Sequence, residues 1–129
     1  MLKGLYEKVE RFSEDPSVGA IVLTGAGRAF CSGGDVKNMA AGKNDEEPLD
    51  VRAKTLRARM EVSRLIHEIP KPTIAMVRGA AAGAGMSIAL ACDLRVVSEN
   101  ARIITAFAKV GLSGDFGGSW FLTQLVGPA

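Results

Sequence analysis

Leu2, Leu5, Val9 and Phe12 recur at three- and four-residue spacing, with Glu7, Lys8, Glu10 and Arg11 between them. That pattern predicts an amphipathic helix, ended by Asp15-Pro16-Ser17. Val18 to Leu23 is a short apolar run leading into Thr24-Gly25-Ala26-Gly27, which reads as a buried strand and a turn. Residues 28–35 form a loop around Gly33-Gly34, and the acidic, Pro-containing stretch 41–50 reads as a mobile surface loop. Leu56, Met60, Ser63 and Ile66 predict a second helix over residues 51–69, stopped by Pro70 and Pro72. Residues 73–77 predict another buried strand, 79–85 a small-residue turn, and 86–92 a tightly packed helix. A third strand is expected at 94–97, a short fourth at Ile103-Ile104, and a last helix over 118–125. Strands alternating with helices predict an α/β architecture with a parallel sheet. No internal repeat is visible in the residues.

Composition narrows this only slightly. At 129 residues the chain is at most one domain, given the roughly 100–200 residues a domain usually takes. Being 47% hydrophobic and 23% charged, it has the make-up of a globular protein rather than a disordered tail. The net charge of +2 and the scattered Lys and Arg residues argue against nucleic acid as a partner. Cys31 and Cys92 lack any framework spacing, which suits a reducing, cytoplasmic setting. The N-terminal residues carry charges through the first turns and do not read as a secretory leader. The uncharged run 79–92 is shorter than the roughly 20 residues a membrane span needs, so a buried helix is expected there. His67 is the single histidine, so a clustered metal site is not expected, and a surface or interface position suits it.

Three segments carry candidate chemistry. Gly83-Ala84-Gly85 follows a strand and opens a helix, where free N–H groups and the helix dipole favour an oxyanion. Close helix–strand packing alone would also explain those small residues. Phe30-Cys31-Ser32-Gly33-Gly34-Asp35 lies past a strand end, where α/β proteins place ligands, or is a turn whose Asp caps a helix. Asp115, between Gly114 and Phe116, is either a desolvated carboxylate suited to proton transfer or the N-cap of the last helix.

In this order and spacing, several segments together resemble the enoyl-CoA hydratase/isomerase, or crotonase, family. They are residues 15–25, Ala29-Phe30-Cys31-Ser32-Gly33-Gly34-Asp35, residues 71–79, Ala81-Ala82-Gly83-Ala84-Gly85 and Ala91-Cys92-Asp93. The resemblance runs across nearly the whole chain and implies a crotonase-like ββα-superhelix core over residues 1–129, incomplete at both termini. It implies an oxyanion hole from the backbone N–H groups of Gly34 and Ala84. It also implies contacts to an acyl-CoA substrate around Arg28, Phe30, Ser32, Asp35, Val36, Gly83 and Phe107. Coenzyme A enters only as part of the substrate, no separate cofactor is expected, and assembly as a homotrimer or dimer of trimers is implied. The strands and helices that family members carry beyond this stretch are absent here, which predicts open sheet edges and exposed apolar surface.

Departures from the family pattern point to the reaction. Hydratases of the family use two glutamates, and the matching positions are Ser87 and Phe107. Asp115 matches the position where isomerase members carry a single carboxylate, and residues 114–120 most resemble the ring-opening isomerase of phenylacetate catabolism. The resemblance therefore implies an enoyl-CoA isomerase with Asp115 as acid and base, in an apolar setting of Phe107, Phe116 and Trp120. A hydratase by family name, a chlorobenzoyl-CoA dehalogenase-like hydrolase and a non-catalytic acyl-CoA binder are the alternatives.

Overall fold

The computed structural model describes residues 1–35 and 47–128. The predicted loop at 41–50 and the predicted substrate contact Val36 fall wholly or partly outside them; the remainder, 47–50, leads into a helix and already begins it. In chain order the elements are α1 (Leu2–Glu14), β1 (Ile21–Thr24), α2 (Leu49–Glu68), β2 (Thr73–Val77), β3 (Ala80–Ala82), α3 (Ala84–Ala91), β4 (Leu94–Val97), β5 (Arg102–Ile104), a 3-10 turn (Ala106–Val110) and α4 (Gly118–Val126).

All strand pairs are parallel, as the alternation of elements predicts. They form two sheets rather than one: a main sheet ordered β1-β2-β4 and a small sheet ordered β3-β5. Cys31 extends the small sheet by a single parallel bridge to Ala81. The chain thus repeats one unit, a main-sheet strand, a small-sheet strand and a helix. β2-β3-α3 and β4-β5-α4 are full copies, and β1, Cys31 and α2 make a shorter one. β3 corrects the expectation of a plain turn at 79–85. Ala80-Ala81-Ala82 has little intrinsic strand preference, and its strand exists because Cys31 and β5 flank it.

The core lies between the main sheet and the helices. Ile21, Leu23, Ala75 and Val77 point inward from the sheet and meet Val9 of α1, Val62 and Ile66 of α2, and the whole of α3. Helix α3 is buried from Gly85 to Ala91 and apolar there except for Ser87, as suits a central helix. The opposite sheet face places Val22, Ile74 and Leu94 in one cross-strand row and Met76 and Val96 in the next. Val22, Leu94 and Val96 are each more than half exposed, which matches the expected open apolar surface.

Two polar ties set the register of these layers. The Lys71 ammonium donates to the carbonyls of Phe12, at 2.7 Å, and of Asp15, completing the end of α1 from the start of β2. Fully buried Thr73 donates its N–H and its hydroxyl to the Asp93 carboxylate, both at 2.8 Å, and its hydroxyl accepts from the Asp93 N–H at 3.0 Å. This pair fixes the first residue of β2 to the lead-in of β4. Replacing Asp93 with alanine leaves a buried hydroxyl and N–H without an acceptor, and should cost about 1–3 kcal/mol of stability in a urea unfolding titration.

Candidate active site

The N-terminus of α3 and the glycine loop at 32–35 are brought together by positions that tolerate no side chain. A Cβ on Gly85 would stand 2.4 Å from the Cys31 carbonyl oxygen and 2.6 Å from the Cys31 Cβ. A Cβ on Gly33, where φ is +88°, would stand 2.6 Å from the Ala82 oxygen and 3.6 Å from the Ala84 nitrogen. The loop therefore lies directly on the start of α3. The Gly83 N–H is used by the fold, donating to the Ile104 carbonyl at 3.0 Å. Ala84 is the first helical residue, so its N–H has no intrahelical acceptor. Among the described residues, neither Ala84 N–H nor Gly34 N–H is paired with a carbonyl.

Gly34 and Ala84 line a cleft of about 1380 Å³, together with Ser32, Asp35, Gly83, Phe107 and Asp115. Its apolar walls include Leu2 and Tyr6 of α1, Leu56 of α2, Ile88 of α3 and Phe116. The Phe107 ring acts as a spacer between the two glycine segments: a Cβ on Gly83 would sit 4.0 Å from it, and one on Gly114 would sit 3.3 Å from it.

Asp115 does not cap the last helix. The N-cap of α4 is Gly117, and no side chain caps that end. Asp115 is half-buried, and desolvation pushes its carboxyl above the usual aspartate range, opposed only by its own backbone N–H. The turn that presents it is unusual. Buried Phe116 has φ +50°, the one non-glycine positive φ among the described residues, and Gly117 follows at +73°. Two hydrogen bonds hold the Asp115 carbonyl, one from the Gly118 N–H at 2.9 Å and one from the fully buried Ser87 hydroxyl at 2.9 Å.

The arrangement combines unpaired backbone donors at the positive end of a buried helix with a carboxylate held in partly apolar surroundings. Chemically, it can stabilise a developing oxyanion while moving a proton nearby. An enoyl-CoA hydratase/isomerase family model matches residues 1–129.

The chain belongs to the enoyl-CoA hydratase/isomerase family.

Within that family, a protein named probable enoyl-CoA hydratase from Rhodobacter capsulatus is 43% identical over 110 residues, covering 85% of this chain and 41% of that protein. The 1,2-epoxyphenylacetyl-CoA isomerase of Escherichia coli is 35% identical over 125 residues, covering 97% of this chain and 47% of that protein. The 4-chlorobenzoyl coenzyme A dehalogenase-1 of an Arthrobacter species is 37% identical over 121 residues, covering 94% and 44% respectively. The crystal structure of an enoyl-CoA hydratase from Polaromonas sp. JS666 superimposes with a TM-score of 0.89 at 37% identity, covering all of this chain and 49% of that one. The fold is that of the crotonase superfamily, and the chain spans just under half the length of these relatives.

Among the residues singled out from the sequence, the cleft gathers Gly34, Ala84, Gly83, Ser32, Asp35, Phe107 and Asp115. Arg28 and Phe30 do not line it. Arg28 is exposed with its carbonyl against Gly79, and Phe30 borders a separate depression of about 360 Å³ with Val9, Phe12 and Ile21. Trp120 corrects the expected apolar wall: its ring meets His67 and Phe121 edge-on, at 5.4 and 5.1 Å, and stays out of the cleft. The link between Ser87 and the Asp115 carbonyl had no sequence signal, because it joins positions 28 residues apart. Among the described residues no cluster could hold a metal ion, and no helix is long and apolar enough to cross a membrane.

Two outcomes follow from this geometry. Gly85→Ala should lower stability by about 1–3 kcal/mol in thermal denaturation, because the Cys31 strand must move away from α3. Asp115→Asn should behave oppositely. Because the folded-state pKa of Asp115 is raised, the folded chain retains this proton where the unfolded chain has lost it, so the carboxylate costs stability as pH rises past the ordinary aspartate value. Asparagine removes that cost, and the variant should melt at or above the wild-type temperature at neutral pH.

Proposed function

We propose that the cleft is the acyl-thioester site of an enoyl-CoA isomerase, shifting a double bond or opening a ring, with Asp115 as the proton carrier. The observation that carries this reading is that Asp115, the one carboxylate lining the cleft whose pKa burial raises, shares it with Gly34 and Ala84, whose N–H groups are unpaired among the described residues. Removing a proton from the carbon chain of an unsaturated thioester drives negative charge onto the thioester oxygen. Two fixed backbone donors stabilise that charge, and losing one such donor typically costs about 2.7–4 kcal/mol of the barrier. Asp115 takes the proton, and the dienolate takes it back at another carbon. A raised pKa suits this double role, because the carboxyl is neither so weak a base nor so strong an acid as an exposed aspartate.

Family membership supports acyl-CoA as the substrate class. Hydration is disfavoured because Ser87 and Phe107 occupy the two glutamate positions. The Ser87 hydroxyl is already engaged with a backbone carbonyl, and the Phe107 side chain has no polar atom that could orient water. The same property of Phe107 weighs against hydrolytic dehalogenation, where the attacking water must be held beside the nucleophile.

Deuterium incorporation from heavy water into a panel of saturated and unsaturated acyl-CoAs, followed by mass spectrometry, tests the reading. Exchange should occur along the carbon chain near the thioester and fall about 100- to 10,000-fold in Asp115→Asn. The wild-type rate should rise with pH through a value above the ordinary aspartate range, because the base form appears only there. Exchange that survives in Asp115→Asn would remove Asp115 from the reaction, and acyl-CoA binding without exchange would favour a non-catalytic binder.

A further inference from the structure

We infer that Ser87 is a positioning residue for Asp115, its buried hydroxyl clamping the 115–118 turn so that the carboxyl enters the cleft instead of capping α4. The inference rests on the role proposed for Asp115. Its ground is geometric. Ser87 lies on the inward side of α3 with no exposed surface, and its hydroxyl has a single proton to donate. Two carbonyls are within reach: that of Gly83, one turn back at 3.4 Å, and that of Asp115, across the helix interface at 2.9 Å. The shorter contact takes the proton, so the serine bonds across to another element rather than back along its own helix, as buried helical serines often do.

The turn needs such a restraint. A bulky residue in the left-handed region, as Phe116 is, stores backbone strain, and it persists only where the surroundings over-determine it. The Asp115 carbonyl receives both the Gly118 N–H and the Ser87 hydroxyl, while the Phe116 ring is buried in the core. Gly118 is shaped to this contact, since a Cβ there would stand 2.3 Å from the Ser87 Oγ. A glutamate at position 87 could not substitute, because an ionised carboxylate has no proton to offer a carbonyl. The residue at this one position therefore separates two designs, one with a second carboxylate and one with a braced turn.

The charged groups around the cleft come from other elements: Lys3, Glu7 and Glu10 from α1, Arg59 and Glu61 from α2, and Asp35 from the glycine loop. None of them contributes to the shift at Asp115, which comes from burial. Loosening the turn should therefore admit water and return the carboxyl toward its ordinary range.

The test compares wild type, Ser87→Ala, Ser87→Cys and Asp115→Asn in the full chain, with two readouts. The first is the pH profile of deuterium exchange into an unsaturated acyl-CoA. The second, which needs no substrate, is titration of the Asp115 carboxyl by carbon-13 NMR. Ser87→Ala should lower kcat about 10- to 100-fold with KM little changed, and should move the acid limb and the NMR titration to lower pH. Ser87→Cys, which fills nearly the same space with a weaker donor, should fall between and carries the comparison if the alanine variant does not fold. Folded Ser87 variants that titrate and exchange like wild type overturn the inference. Exchange that persists in Asp115→Asn defeats the catalytic reading instead, and the NMR titration then still decides whether Ser87 holds the turn.

Discussion

The contact between Gly85 at the start of α3 and the carbonyl of Cys31 is the constraint on which the rest of the structure leans. No side chain fits between them, so the helix and the strand that bridges to Ala81 approach until backbone meets backbone. Three things follow. The loop bearing Gly33 and Gly34 is pressed onto the N-terminus of α3. Gly83 must turn sharply, at φ +52°, and gives its N–H to the small sheet. Ala84, whose N–H has no intrahelical acceptor, then lines the cleft at the positive end of a helix buried from Gly85 onward, where a dipole is poorly screened. Close packing and an unpaired N–H at the helix start, which the sequence presents as rival explanations of Gly83-Ala84-Gly85, occur together.

Asp115 shows the opposite balance, a position that costs stability. Its carboxyl is partly withdrawn from water, its neighbour Phe116 sits in a strained conformation, and the helix it precedes is left without a side-chain cap. Turning the Asp115 carboxyl to cap α4 would relieve the first and the last of these. What opposes this is the packing of Phe116 into the core and two hydrogen bonds on the Asp115 carbonyl. Strain collected beside one ionisable group, and supported from a neighbouring helix, is the pattern expected of a working site rather than of a stabilising turn.

The repeated unit of two strands and a helix could not be read from the residues, although its main-sheet strands could. Residues 73–77 and 94–97 are rich in β-branched and apolar side chains, and strands occupy both positions, the first buried at alternate residues and the second largely exposed. Of their small-sheet partners, β5 carries a signal in the Ile103-Ile104 pair, but Ala80-Ala81-Ala82 is too short and too small-chained for a two-residue alternation to register, and Cys31 contributes a single bridge. They are extended because their neighbours supply hydrogen-bond partners, a condition met only after the chain has folded back on itself. The 3-10 turn carrying Phe107 escaped notice for the same reason: its five residues satisfy no helical period.

By itself the sequence determined the local elements with strong periodicity, the central buried helix and the glycine positions. Through its family resemblance it also singled out Gly34, Ala84 and Asp115 as residues that share one cleft. These depend on residue type and short spacing, which a linear pattern records. Tertiary structure alone decided that Trp120 turns to His67 and away from the cleft, that Phe30 faces a different depression from Ser32, and that Ser87 reaches the carbonyl of Asp115. Each of these depends on the direction of a side chain relative to an element far away in the chain. That direction is fixed only once those distant elements have packed against one another.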